Sequence, residues 1–266
     1  MSIRKFARHD LAVLARSGTG RLLVGLAVAS VLGAVGAGLA MSNGPLTDEF
    51  LMFTIWLVPG IAVPFVATLT AAVSISSARD SGRLRLLFGT PITRLDVFAG
   101  TLLSRTVATL VAVAVGVAIG AVAVVALPIA SFGNVVRAVA FLFLASVTYT
   151  AVGVAISALA TTRVRAIGAA IGFFVASALW PHLVRTFGPT SDFGPAEPTA
   201  AETLTSVVGT LSPFGAFSQA ATTERAIYAV AVTHPLLSTS TMVVVLLCWT
   251  LVPVLVAYRS FASTDL

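Results

Sequence analysis

Six long stretches of the sequence contain no Asp, Glu, Lys or Arg, which narrows the possible folds more than any other feature. They cover residues 22–41, 51–78, 106–127, 138–160, 166–184 and 236–257. Each is about as long as, or longer than, the roughly 20 apolar residues that a helix needs to cross a bilayer. Because lipid offers no hydrogen bonds to the backbone, such stretches are expected to be helical. The sequence therefore predicts an all-α membrane protein with six transmembrane helices.

The overall composition leaves little of the chain outside the membrane. It is 58% hydrophobic and only 10% charged, a balance that is unusual for a soluble domain. We assign residues 1–266 to one transmembrane domain without a separate soluble catalytic domain, and we begin the third span at residue 98, where a helix runs into the apolar stretch. The single cysteine, Cys248, excludes an intrachain disulfide and a cysteine-only metal cluster.

The distribution of basic residues predicts the orientation. Of the 16 Lys and Arg residues, all but Arg137, Arg185 and Arg225 fall in alternate gaps between the spans, together with the N-terminal and C-terminal segments. The positive-inside rule then places both termini in the cytoplasm of a multi-pass protein in the plasma membrane. Because this topology accounts for the positive charge, we do not predict nucleic-acid binding.

Residues 3–16 have the pattern of an amphipathic helix. One face carries Ile3, Phe6, Ala7, Leu11 and Leu14, and the other carries Arg4, Lys5, Arg8 and Arg16. Asp10 falls near the apolar side and weakens the pattern. We interpret the segment as a helix lying at the inner membrane surface, and the alternative is a basic tail that only fixes the orientation.

Two gaps between spans are predicted to contain short helices. In the gap at 79–100, Leu84, Leu87 and Phe88 share one side of a helix that ends near Gly89. It could dock a cytoplasmic partner, or it could be a connector whose leucines pack on neighbouring helices. The outer gap at 185–235 has the capping-box spacing Thr199–Glu202 and, further on, Ser212 before Pro213. These signals predict helices that rest on or re-enter the outer leaflet.

Residues expected of an enzyme or a nucleotide-binding protein are missing from the sequence. It has neither a HExxH pair nor a GxxxxGK[ST] loop, and His182 is the only ionisable side chain other than Tyr149 and Cys248 within the uncharged stretches. We therefore predict no enzymatic activity and no cofactor in this chain. Met41, Met52, His182 and His234 would suit Cu(I), but they lack ligand spacing, so we assign no metal site.

The segment from Asp80 to Arg94 resembles the E-S-G-T-L-x-L-L-L-S-x-P-x-S-R motif that follows the second span of ABC-2 type transporter permeases. The six-span layout and the long outer segment before the sixth span are similar to the same family. Residues 211–214 and 251–266 are similar to the permease of the nitrous oxide reductase maturation system. The chain departs from the family at Ala78 and Arg79, where an acid is frequent, and at Gly100–Thr101, where Gly-Lys is common.

This resemblance implies a permease, and more specifically an exporter, that works with a separate ATP-binding cassette subunit carrying ATP and Mg. It also implies a second permease copy and allows an external accessory protein. The residues implied in coupling to the ATPase are Arg83, Leu84, Leu87, Phe88, Pro91 and Arg94. The implied dimer contact on the fifth span involves Gly168 and Gly172, in preference to a similar pair, Gly116 and Gly120. The alternative for these glycines is ordinary packing of small residues within the chain. The alternative function is a membrane sensor subunit with an external ligand-binding segment and a cytoplasmic partner.

The same interpretation predicts a pathway lined by small and apolar side chains. Its few polar groups would be Ser and Thr hydroxyls and the phenol of Tyr149. Such a lining suits an apolar or amphipathic cargo.

Overall fold

The computed structural model describes residues 3–41, 54–89, 92–124, 132–189, 199–221 and 234–263, and no strand occurs in these ranges. Two helices, α1 (Ile3–Arg16) and α2 (Gly18–Met41), precede a helical turn at 54–57. The following helices are α3 (Pro59–Asp80), α4 (Arg83–Phe88), α5 (Arg94–Val124), α6 (Phe132–Leu159), α7 (Arg163–Phe187), α8 (Ala200–Gly209), α9 (Pro213–Ala221) and α10 (Thr239–Ser263), the last preceded by a 3₁₀ turn at Pro235–Leu237.

Six helices in the described ranges are long and apolar enough to cross a membrane, which confirms the predicted fold class. They are α2, α3 with its preceding turn, α5, α6, α7 and α10. Several extend past the uncharged stretches at the ends that carry arginines: α7 begins at Arg163 and α10 continues through Arg259 to Ser263. Backbone hydrogen bonding continues after the apolar pattern stops, because charged side chains are tolerated where a helix leaves the hydrocarbon. The predicted starts and ends at 51–53 and 125–127 lie outside the described residues.

Helix α6 is the centre of the bundle and contacts α3, α5, α7, α9 and α10. The closest approach is to α3, where a Cβ on Gly153 would lie only 2.5 Å from the carbonyl oxygen of Thr68. One turn further on, the hydroxyl of Ser157 accepts hydrogen bonds of 2.9 Å from the backbone N–H groups of Ile75 and Ser76. Small side chains therefore bring α3 and α6 together closely enough for a backbone-to-hydroxyl contact.

Helix α1 packs against the beginning of α5, and Asp10 is part of this contact. Ala7 and Leu14 are buried, and Gly100 leaves room for the ring of Phe6. The Asp10 carboxylate accepts a hydrogen bond of 2.5 Å from Ser104 and lies 3.5 Å from the Arg105 guanidinium. The helix is confirmed, but its inner face lies on protein, and Asp10 belongs to that face because α5 supplies a hydroxyl and a cation.

We call the end of the bundle that holds α1, α4, the α6–α7 turn and the last turn of α10 the basic end. The basic side chains of α1, namely Arg4, Lys5, Arg8 and Arg16, are exposed there. At the opposite end, α8 and α9 confirm that the gap at 185–235 contains short helices. The Thr199–Glu202 capping box is formed, and the hydroxyl of Ser212 accepts a hydrogen bond from the N–H of Gly215. Helix α9 is buried between α6, α7 and α10.

Replacing Gly153 with leucine should destabilise the bundle, because its side chain would meet the α3 backbone. We expect a cost of about 1–3 kcal/mol or more, seen as a lower melting temperature of the detergent-purified protein. Gly25→Leu is the matched control, since nothing lies within 4 Å of a Cβ at that position. Equal melting temperatures for the two variants would contradict the close α3–α6 contact.

Candidate coupling site

Helix α4 is fixed to the basic end by Leu84. This side chain is 2% exposed and belongs to a core cluster with Ile75, Val97, Phe98 and Phe261. The cluster joins α3, α5, α6 and α10, so α4 is anchored on the helices that form the bundle. Leu84 therefore has the packing role that the connector interpretation assigned to it, and it is not available for direct contact with a partner.

The outward surface of α4 is formed by residues beside the predicted ridge. Arg83 is exposed, as predicted, and Leu86 is 77% exposed. The side chains of Leu87 and Phe88, and Pro91 as a whole, lie outside the described residues. A large apolar side chain this exposed, next to an exposed arginine, is a suitable contact for a partner surface. Leu86 is the residue that the sequence pattern missed.

Arg79 and Asp80, the last two residues of α3, attach the chain just before α4 to the α6–α7 turn. Arg79 donates hydrogen bonds of 2.6 Å and 3.1 Å to the carbonyl oxygens of Ala160 and Ala158, and its guanidinium lies 5.9 Å from the ring centroid of Phe261. The carboxylate of Asp80 accepts a hydrogen bond of 3.1 Å from the N–H of Arg163. Arg79 thus satisfies carbonyl groups that α6 leaves unpaired at its C-terminus, and Asp80 satisfies an N–H at the start of α7.

Arg94 makes the corresponding attachment after α4. Its Nη1 donates hydrogen bonds of 2.9 Å and 3.1 Å to the carbonyl oxygens of Phe261 and Ala262, near the C-terminus of α10. Its own position is fixed because Thr93 and Asp96 form reciprocal hydrogen bonds at the start of α5. The predicted rim residue Arg94 therefore connects two spans, and this contact could not be inferred from local spacing.

The residues in and next to α4 connect this part of the chain to the core and to three spans. Leu84 anchors it from beneath, Arg79 and Asp80 link its beginning to α6 and α7, and Arg94 links its far side to α10. These contacts hold the basic ends of α6, α7 and α10 next to α4, and charge-assisted hydrogen bonds are among the stronger polar contacts.

The two glycine pairs have different surroundings. A Cβ on Gly116 would lie 2.9 Å from the carbonyl oxygen of Ala27 in α2, so that pair serves packing within the chain. Within the described part of the chain, no atom lies within 4 Å of a Cβ on Gly168 or Gly172. Both belong to an exposed apolar face of α7 that also carries Val164, Ile171, Val175, Leu179 and Leu183.

At the opposite end, the three tryptophans of the sequence all donate hydrogen bonds to the segment formed by α8 and α9. Trp56 donates to the hydroxyl of Ser218 at 2.7 Å. Trp180 and Trp249 donate to the carbonyl oxygens of Val208 and Leu211, each at 2.8 Å. The indoles thus satisfy polar groups of a helical hairpin packed among the spans.

Tyr149 has a different role from the one predicted. Its side chain is fully buried, and its hydroxyl lies 2.7 Å from that of Ser177, which also accepts a hydrogen bond from the N–H of Phe214. This places the phenol in the contact between α6, α7 and α9, where it supports packing within the chain. In the part of the chain that the structure describes, no three His, Cys, Asp or Glu side chains lie together as a metal site would require.

The family model for ABC-2 family transporter proteins matches residues 25–266. No curated protein shows significant similarity to the chain. Since the match includes most of the sequence, the chain belongs to the ABC-2 transporter family, and it is a transmembrane permease component of an ABC transporter. Permeases of this family pair in general with an ATP-binding cassette subunit.

Replacing Arg94 with glutamine should loosen the end of α10 without unfolding the bundle. The lost charge-assisted hydrogen bonds correspond to about 1.5 kcal/mol, so amide hydrogen exchange at residues 258–263 should be about tenfold faster. Arg259→Gln is the control, because Arg259 is an exposed arginine on the same helix. Unchanged exchange in Arg94→Gln would mean that the Arg94 contacts do not hold α10.

Proposed function

We propose that the chain is the permease subunit of an exporter and that α4 docks in a groove of the ATP-binding cassette subunit in the cytoplasm. The basic end would be cytoplasmic, with both chain termini on that side, as the positive-inside rule predicts. Two copies of the chain would enclose the pathway, and ATP and Mg would be held by the partner alone.

The main support for this proposal is the position of α4 between Arg79 and Arg94, whose hydrogen bonds attach the chain on either side of α4 to α6 and α10. Its outward residues Arg83 and Leu86 are exposed, whereas Leu84 connects it to the core of the basic end. A partner that closes on ATP and pushes on α4 would act on α6 and α7 through Arg79 and Asp80, and on α10 through Arg94. The proposed docking surface comprises Arg83 and Leu86, together with Leu87, Phe88 and Pro91 from the sequence analysis.

The open face of α7 supports the proposed dimer. Gly168 and Gly172 allow close approach of a second helix, and the apolar residues around them are exposed in the part of the chain that the structure describes. We propose that a second copy packs there. The small and apolar character of the spans favours an apolar or amphipathic cargo, and the outer helices offer a surface to an accessory protein.

Aspartate substitutions on α4 should separate anchoring from docking. Leu86→Asp should release the ATPase while leaving the permease stable, because Leu86 is 77% exposed. Leu84→Asp should lower the melting temperature of the permease itself, because it would bury a carboxylate in an apolar cluster. Leu87→Asp with Phe88→Asp should also release the ATPase. Co-purification of the ATPase and thermal melting of the isolated permease are the two measurements.

Leu204→Asp is the matched control for these variants, since Leu204 is 63% exposed on α8 at the opposite end. It should retain the ATPase at the wild-type ratio. If Leu86→Asp and the Leu87/Phe88 double variant also retained it, α4 would not be the docking element.

Leucine at Gly168 and Gly172 should disrupt the proposed dimer without affecting the fold of one chain, because a Cβ at either position meets no atom of the described residues within 4 Å. We expect a shift from dimer to monomer in light scattering of the detergent-purified protein. Gly25→Leu, at an equally open position on α2, should leave the dimer intact. A dimer that survives both α7 substitutions would place the interface elsewhere.

A further inference from the structure

Arg137 is a partly buried arginine in which one edge of the guanidinium is buried without a partner. Its Nε and Nη2 atoms are buried, and neither has a hydrogen-bond partner among the residues that the structure describes. The same side chain forms no ion pair with any residue that the structure describes. Arg79 and Arg105 each have one such buried nitrogen, but Arg79 caps α6 and Arg105 pairs with Asp10. Arg137 therefore stands apart from the other arginines of the spans.

Nε and Nη2 are the two guanidinium nitrogens that together can bind an anion. The N–H bonds of Nε and Nη2 are parallel in a guanidinium and form a fork that matches two oxygens of a phosphate or carboxylate. Leaving these two buried N–H donors without a partner beside an apolar core is costly, because a buried polar group that makes no hydrogen bond carries its full desolvation penalty. The neighbouring Ala138 is fully buried, and Phe141, one turn further on, belongs to the main core cluster.

The position of Arg137 along α6 indicates where the anion would come from. The candidate span begins at Val135, so Arg137 lies in its first turn, at the end opposite to the basic end. This is the level at which lipid head groups meet the hydrocarbon. Val136 is 49% exposed and Ala140 is also exposed, which leaves an apolar strip for an acyl chain next to the guanidinium.

We infer that Arg137 binds the phosphate head group of an anionic phospholipid through its Nε and Nη2 atoms, with the acyl chain lying along Val136 and Ala140. The site belongs to a single chain and does not require the ATPase. An anionic amphiphile held at the outer end of α6 would also fit the amphipathic cargo proposed above, but the lipid site stands without it.

The test uses the detergent-purified full chain, melted with added phosphatidylglycerol and, separately, with phosphatidylcholine. Phosphatidylglycerol should raise the melting temperature of the wild type more than phosphatidylcholine does, because a ligand that binds the folded state stabilises it. Arg137→Gln should bind phosphatidylglycerol about tenfold more weakly and lose this difference. Arg137→Lys, which keeps the charge without the fork, should fall between the two.

Arg185→Gln is the control, because Arg185 lies near the end of α7 at the same end of the bundle; it should keep the wild-type response. The inference is wrong if Arg137→Gln also keeps it. It is equally wrong if millimolar inorganic phosphate alone reproduces the stabilisation, which would identify a soluble anion. Coupling between Arg137→Gln and Asp48→Asn or Glu49→Gln that is independent of lipid would identify a carboxylate of the chain as the occupant and would also refute it.

Recovery of the ATPase with Arg137→Gln is measured separately from the melting experiment. Loss of the lipid response with full ATPase recovery would confirm the lipid site without bearing on docking. ATPase recovery with Leu86→Asp tests the docking proposal, and the melting response to phosphatidylglycerol with Arg137→Gln tests the lipid site. Either proposal can therefore fail without affecting the other.

Discussion

The ends of the helices impose the constraint on which the rest of this structure depends. An α-helix leaves its last carbonyl groups unpaired, and in a bundle with so little polar surface few other groups can satisfy them. At the basic end, Arg79 and Arg94 donate to the final carbonyls of α6 and α10. At the opposite end, Trp180 and Trp249 do the same for the turn between α8 and α9. Side chains from distant parts of the chain thereby determine which helices are held together.

The two ends consequently differ in what they can transmit. On either side of α4, Arg79 and Arg94 attach the chain to α6 and α10, and the Asp80 carboxylate attaches it to α7, while Leu86 stays exposed, as the proposed docking requires. The tryptophans donate to the α8–α9 hairpin, whose buried helix α9 reaches α6 and α7 through Tyr149 and Ser177. Helix α6 connects both ends and approaches α3 closely at Gly153. In the proposed mechanism, α6 is the helix that would connect a movement of α4 with the hairpin.

The sequence was sufficient to predict features that depend on local chemistry. Uncharged length identified the spans, and the Thr199–Glu202 spacing identified the start of α8. The sequence alone could not show that Leu84 is buried and Leu86 exposed, because in a six-residue helix the neighbouring elements determine which side is buried. Asp10 looked misplaced only because its partners, Ser104 and Arg105, lie in another helix. The partners of the tryptophans were equally hidden, since Trp56 and Ser218 are 162 positions apart.

The central claim is that this chain delivers work done by a separate ATPase to the membrane. The most direct measurement is the composition of the complex purified through this chain from native membranes in mild detergent, determined by quantitative mass spectrometry. The account predicts an ATP-binding cassette subunit in equal amount to the permease. Recovery of the chain without such a subunit, in a detergent that preserves other membrane complexes of the same preparation, would contradict it.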